Sequence, residues 1–317
     1  MIKKLFRPLF FHLWRRIHRE GIVIYLIHGV IDPRLQTDWQ PLRRQLTVKN
    51  LDNGLERLAK YYNFISMDEA VAMLKGQVPL QPYSLVLTFD DGYRNNVTHA
   101  LPILQQHMAS ATFFLSTGHV ERHEPFWYDR LDYAIQHLRK EQHVVFAGRL
   151  FSFHPNEKET KRSTFTALRN MIKADKLPYN ETMHAVNQIA KNLEDNAGCC
   201  LADILKNDHS TDIMSWEEVK CAADQGVTIG SHTVDHVILD RLNELSALDQ
   251  MKVSKSTIEH YTGKKCFYFC YPSAIWNKQI VSMVQRTGYV AATTTDDGSN
   301  KIGVNLLTLH RKSFPEI

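Results

Sequence analysis

A chain of 317 residues with 44% hydrophobic side chains carries enough apolar material for one large α/β core or two ordinary ones. Its formal net charge of +4 is mild, and no basic patch is interleaved with aromatics, which argues against nucleic acid as a partner. The five cysteines (Cys199, Cys200, Cys221, Cys266, Cys270) are odd in number and form no CxxC pair, so they read as free, mostly buried thiols of a reducing compartment.

Residues 1–20 form a basic amphipathic segment: Lys3, Lys4, Arg7, Arg15, Arg16 and Arg19 surround Leu5, Phe6, Leu9, Phe10, Phe11 and Trp14. The longest uncharged stretch, Pro8 to Trp14, is too short for a signal-peptide core or a bilayer span. Such a segment suits the surface of an anionic membrane, and an ordinary surface helix is the plainer alternative. The expected location is therefore cytoplasmic, peripheral at the inner face of the membrane. Full-length protein should sediment with anionic liposomes and a variant lacking residues 1–20 should not; equal sedimentation rules the membrane reading out.

From residue 21 onward, strand-like apolar runs alternate with helical patterns, which predicts a mostly parallel sheet wrapped by helices. Ile22 to Ile27 is the first strand, and Leu51, Leu55 and Leu58 mark one face of the helix after it. Ser66 and Glu69 form a capping-box pattern opening a short helix that closes at Gly76. Ser84 to Phe89 reads as a buried strand, Asn96 to Met108 as a helix, and Ala111 to Leu115 as the next strand. Residues 121–213 break this rhythm. They are polar and mainly helical in tone, and read as an insertion on the main domain of residues 21–317. The alternation resumes with a second capping-box pattern, Ser215 and Glu218, and a helix ending at Gly226. Strands are then expected at Val227 to Gly230, Cys266 to Tyr271, Tyr289 to Thr293 and Asn305 to Leu309, with a long helix before Gly263. About seven strands with intervening helices make a distorted (β/α)7 barrel the expected fold, with its chemistry at the carboxyl ends of the strands.

Two segments fall at such ends. Thr88-Phe89-Asp90-Asp91-Gly92 closes one strand, and Gly230-Ser231-His232-Thr233-Val234-Asp235-His236 closes another. Two adjacent carboxylates and two histidines at i, i+4 supply what a divalent metal and a general base together need. Three N/O ligands leave a coordination position open for water, and one acid remains to take its proton. Each half is weak alone. Asp296-Asp297-Gly298 repeats the acidic pattern but leads into no helix and reads as a turn. A zinc-protease HExxH pattern needs Glu where Thr233 stands.

Taken together and in this order, the segments resemble the first two motifs of the polysaccharide deacetylases, the carbohydrate esterase group with the NodB-homology fold. The likeness runs over most of residues 22–120 and 214–314, and Phe269-Cys270-Tyr271-Pro272 resembles the third motif. The resemblance implies metal-dependent N-deacetylation of an acetamido sugar in a glycan or glycan precursor, with Asp91, His232 and His236 on the metal and Asp90 as the catalytic base. Zinc suits such a donor set, and cobalt, nickel or iron would also fit. The Arg that normally precedes the third motif's Pro is missing, and Arg311 is the candidate substitute. The family's usual general acid lies in a C-terminal Leu-His, matched by Leu309-His310. However, Tyr25-Leu26-Ile27-His28-Gly29-Val30 resembles the N-terminal motif of a permuted branch that includes poly-N-acetylglucosamine deacetylases, which makes His28 the acid. A backbone N–H near Tyr271 to Ser273 is expected to face the oxyanion, and Tyr93, Trp127, Tyr128 and Trp276 are candidates for stacking on sugar rings. Two rival readings remain: an amidohydrolase acting on a non-sugar amide, and a non-catalytic carbohydrate-binding relic of the fold.

Overall fold

A computed structural model describes residues 19–35 and 39–315. The expectation of a basic amphipathic segment at residues 1–20 therefore lies almost entirely outside the described residues. Among those described, no helix is long and apolar enough to cross a membrane.

The strands are β1 (Val23–Ile27), β2 (Val30–Ile31), β3 (Leu46–Thr47), β4 (Asn63–Phe64), β5 (Ser84–Phe89), β6 (Ala111–Leu115), β7 (Gln142–Phe146), β8 (Arg149–Phe153), β9 (Thr228–Ser231), β10 (Tyr268–Cys270), β11 (Ala291–Thr293) and β12 (Lys312–Ser313). The main sheet runs β11-β10-β9-β6-β5-β1-β12, every neighbour parallel. Its two ends meet in one segment. Leu309 bridges Thr293 on β11 through Leu309 N to Ala292 O at 2.8 Å and Thr294 N to Leu309 O at 2.8 Å, and Lys312 pairs with Tyr25 on β1. The last stave thus closes a distorted (β/α)7 barrel with a single bridge on one side and two residues on the other.

Alternation along the strands sorts their side chains. Ile22, Ile24, Val86, Phe114, Tyr268, Cys270, Ala291 and Leu309 fill the interior. Helix Met67–Leu74, capped by the Ser66–Glu69 box, adds Met67, Ala70, Val71 and Leu74 to the same cluster and stoppers the barrel at the amino ends of the strands. All six residues of β5 are buried because helices cover its outer face as well. Gly230 is required by packing, since a Cβ there would lie 2.5 Å from the Phe114 ring.

Between the adjacent strands β6 and β9 the chain makes the long excursion. It contains helix Trp127–Gln136, an antiparallel hairpin of β7 and β8 turning at Ala147-Gly148, and helices Lys158–Ala174 and Tyr179–Ala197. Both hairpin-turn residues have positive φ, the conformation a two-residue turn between twisted strands requires. Phe165, Leu168, Val186 and Leu193 belong to one apolar cluster with the outer faces of β1, β5 and β6, so the insertion shares the barrel's core.

Two expectations need correction. Asn305 to Leu309 is not a strand: Asn305 Oδ1 accepts from Leu307 N at 3.0 Å and winds Leu306–Thr308 into a 3₁₀ turn, leaving sheet pairing to Leu309 and β12. The cysteines are free but not mostly buried. Cys266 and Cys270 are, Cys199 and Cys200 are half-buried, and Cys221 is exposed.

Candidate active site

At the carboxyl ends of the strands lies a cavity of about 390 Å³ lined by His28, Asp90, Asp91, His232, His236 and Arg311 among others. Strand alternation delivers most of them. His28 continues the inward series Ile22, Ile24, Leu26, and Asp90 continues Val86, Thr88. Asp90 N donates to Ile27 O at 2.9 Å and His232 N to Leu115 O at 2.8 Å, so each motif begins where its strand still holds its neighbour. Beyond the strand ends the backbone turns sharply. Asp91 (φ 80°), Thr233 (φ 67°) and His236 (φ 52°) all occupy the left-handed region, where non-glycine residues are strained and need their surroundings to hold them. Asp235 provides part of that hold. It accepts from Arg122 at 2.7 Å and Gln250 Nε2 at 2.7 Å, while Gln250 Oε1 accepts from the Val234 and Asp235 amides.

Asp91, His232 and His236 converge. Asp91 Oδ1 lies 3.7 Å from His232 Nε2 and 3.4 Å from His236 Nε2. Among the described residues Asp91 Oδ1 is buried with no hydrogen-bond partner, a costly state that a cation would relieve. His232 Nδ1 lies 2.8 Å from Cys270 O; a carbonyl only accepts, so Nδ1 carries the proton and Nε2 presents a lone pair to Asp91. Burial pushes His236 well below its ordinary pKa despite the opposing charge of Asp91, which leaves the neutral, ligating form. The carboxylate of Asp91 is displaced below the usual range: burial raises it, and His28, His236, His232 and Arg43 together outweigh that. Its second oxygen accepts from Tyr128 Oη at 3.0 Å. The donor set therefore fits one divalent ion, open on the cavity side.

Asp90 is engaged differently. Arg311, 1% exposed, clamps it with two parallel bonds, Nη1 to Oδ1 at 2.7 Å and Nη2 to Oδ2 at 2.8 Å. The guanidinium is itself fixed by Thr294 O at 2.7 Å, Thr88 Oγ1 at 3.0 Å and Cys270 Sγ at 3.1 Å. Burial would raise the Asp90 pKa, but Arg311 wins and holds it below the usual carboxylate range, so Asp90 is ionised at neutral pH. Asp90, His232 and Cys270 also approach one another closely enough to ligate. With Arg311 against both Asp90 and the thiol, and the thiol pKa driven up by burial, that trio does not suit a cation.

His28 is open to the cavity and sits on its floor, ringed by protein; that recess lowers its pKa, with Asp91 and Asp90 pulling the other way. His310 is elsewhere. It faces outward from the closing stave with its ring against Gly298, and its backbone is paired with Asn300. Of the expected oxyanion donors, Tyr271 N is committed to Thr293 O at 3.3 Å and Pro272 has none. Ser273, strained at φ 56° in the cavity wall, is left with an N–H that is unpartnered among the described residues.

The aromatic candidates separate. Tyr93 is fully buried and donates to Asp129 Oδ2 at 2.7 Å, so it serves the core. Trp127 packs beside the core, and Trp276 donates to Asp296 at 3.2 Å. Tyr128 lines the cavity but is spent on Asp91. The sequence offered little to single out Arg43, which bonds Tyr93 Oη, pairs with Asp129 Oδ1 at 3.3 Å and reaches to 3.9 Å from Asp91. The run Trp127-Tyr128-Asp129 is the one local hint of this buried network.

Residues 77–149 and 152–292 match the polysaccharide deacetylase family. The chain belongs to that family. YxkH of Bacillus subtilis (strain 168), named for the polysaccharide deacetylases, is 28% identical over 98 residues, 31% of this chain and 35% of that one, so the match spans about a third of the relative's length. The fold is that of solved deacetylase structures. Streptococcus pyogenes PplD in complex with acetate and IcaB from Ammonifex degensii each superpose with a TM-score of 0.59 at 17% identity, covering 93% of this chain and 92% of theirs. The BpsB deacetylase domain from Bordetella bronchiseptica gives 0.53 at 16% identity over 93% of this chain and 97% of that one. The family match takes in Asp90, Asp91, His232 and His236; His28 and Arg311 lie outside it.

Proposed function

We propose that this polysaccharide deacetylase hydrolyses the N-acetyl group of an acetamido sugar, in a glycan or a carrier-linked glycan precursor, with one divalent metal held by Asp91, His232 and His236. The observation that carries the reading is the partnerless Asp91 Oδ1 facing two imidazole nitrogens, with an Arg-clamped carboxylate beside it. Zinc suits the Asp/His₂ donors, and cobalt, nickel or iron would be accepted. A metal there supplies Lewis acidity and makes a nearby water acidic enough to lose a proton at neutral pH.

The rest belongs to the chain. Asp90 takes the water's proton on a carboxylate lone pair that the two Arg311 bonds leave free, and the clamp keeps the carboxylate aimed and ionised. The water oxygen bonds to the acyl carbon, the carbonyl oxygen gains charge beside the Ser273 N–H, and the C–N bond then breaks. The departing nitrogen needs a proton to leave as an amine, and His28 on the cavity floor is the donor, Asp91 and Asp90 favouring its charged form against the burial that lowers its pKa. Acetate and the amino sugar are the products.

Purified protein should carry about one equivalent of divalent metal, and Asp91→Ala and His232→Ala should carry little, while wild type releases acetate from a panel of acetamido sugars. Full metal content in both variants would overturn the ligand set. Absence of acetate release from any sugar by zinc-loaded wild type would overturn the activity.

A further inference from the structure

The catalytic cavity holds more positive charge than the chemistry above uses. Five cationic side chains line it, Arg43, Arg44, Arg169, Lys173 and Arg311, against the two carboxylates Asp90 and Asp91. Arg311 is matched by Asp90 and Arg43 by Asp129. Arg169 and Lys173 are not matched. Among the described residues neither side chain has a carboxylate at ion-pair distance, and Arg169 Nε is buried without a hydrogen-bond partner.

Both project from helix Lys158–Ala174 of the insertion at i, i+4, a spacing at which like charges repel. Burial first, and then Arg169, bring the Lys173 ammonium down to about 8, so the pair is held against its electrostatic preference. Complementing the helix dipole does not account for them, because that end is already capped. Arg241 donates to Ile172 O at 3.1 Å and to Lys173 O. Arg241 follows His236 closely in the chain, so the loop carrying a metal ligand also fixes the helix end that brings Arg169 and Lys173 to the cavity. Lys173 further lines an adjoining groove of about 830 Å³ between residues 173–180 and 240–246, and Ile275 of that groove directly follows Ala274 of the catalytic cavity.

Building on the deacetylase reading, we propose that the substrate is an anionic acetamido sugar. Its phosphate ester or carboxylate seats between Arg169 and Lys173, its acetamide lies at Asp90 and Asp91, and the rest of the molecule extends into the groove past Lys173.

The test compares acetate release by zinc-loaded wild type from N-acetylglucosamine, N-acetylglucosamine 1-phosphate and N-acetylglucosaminuronate. Charge-assisted hydrogen bonds of the usual strength predict about 10–100-fold higher kcat/KM for one of the anionic sugars than for the neutral one, carried mainly by KM. Whichever of the two is preferred tells phosphate from carboxylate. The preference should fall toward unity in the Arg169→Gln/Lys173→Met double variant and survive in Arg169→Lys/Lys173→Arg. In wild type, raising salt from about 0.05 to 0.5 M should raise KM for the anionic sugar and leave the neutral one little changed, a readout that needs no variant. Equal kcat/KM for all three sugars, or a preference that persists in the charge-removing variant, overturns the anionic substrate and leaves the deacetylase standing. No acetate from these three or from any other sugar of the acetamido panel removes the deacetylase reading and this proposal with it.

Discussion

Asp90→Asn is expected to lower acetate release by roughly 10²–10⁴-fold, the usual range for losing a general base, with metal content unchanged. The two adjacent carboxylates are separated by their partners. Asp91 presents an unpartnered oxygen to two imidazoles, while both oxygens of Asp90 face the Arg311 guanidinium. A cation entering the cavity therefore meets Asp91 as a ligand and Asp90 as a carboxylate already neutralised. Asn keeps an acceptor for Arg311 but removes the charge, so a buried cation loses its counterion and the fold weakens by about 3–5 kcal/mol. Because the pairing depresses the Asp90 pKa, this stabilisation is fully present above the ordinary carboxylate value and is lost as pH falls through the acid range. Rates should accordingly be compared well below the variant's melting temperature. Arg311→Lys is the informative companion: it keeps the charge, loses the two-pronged geometry, and should fall between wild type and Asp90→Asn. If Asp90→Asn loses its metal along with its activity, the roles of the two acids are reversed.

What could be read from the chain follows from how local each determinant is. β5 is legible because the short, largely apolar run Ser84 to Phe89 has the length of a strand covered on both faces and is too short for a buried helix, and the Asp-Asp pair stands at its end by simple continuation. Both capping boxes form because two side chains within four consecutive residues suffice to make each. The His pair is equally local, since His232 and His236 are set by one loop. Arg311 was reachable from the family pattern alone, as a place that needed a guanidinium. The remaining features depend on partners far apart in sequence. Arg43 meets Asp129 only through the insertion helix Trp127–Gln136, Tyr128 finds Asp91 only because the insertion folds back over the strand ends, and Arg169 and Lys173 look like ordinary surface charges of a polar helix until its end is placed on the cavity. The closing stave departs from its pattern for the opposite reason: the Asn305 side chain captures the backbone locally where the Leu-rich run Asn305 to Leu309 implies a strand.

The proton for the leaving amine has two candidate donors, and the geometry separates them. His28 occupies the inward register of β1, opens into the cavity, and lies within electrostatic reach of both Asp90 and Asp91. His310 neighbours Arg311 on the closing stave, and alternation turns it the other way: Arg311 inward to Asp90, His310 outward to Gly298, with Nδ1 buried and unpartnered among the described residues. A residue on the outer face has no path to the scissile nitrogen unless the stave flips, and flipping it would withdraw Arg311 from Asp90. His28→Ala should therefore lose roughly 10²–10⁴-fold on an acetamide with metal retained, while His310→Ala loses much less and is felt mainly in stability. The role is distinguished from mere cavity shape by the leaving group. An acetate ester of a phenol departs without protonation, so the His28→Ala deficit should shrink on that substrate while the Asp90→Asn deficit persists, since every hydrolysis still needs its water deprotonated. Equal His28→Ala deficits on amide and ester would assign His28 to binding. A larger loss from His310→Ala on the amide would place the acid on the closing stave after all.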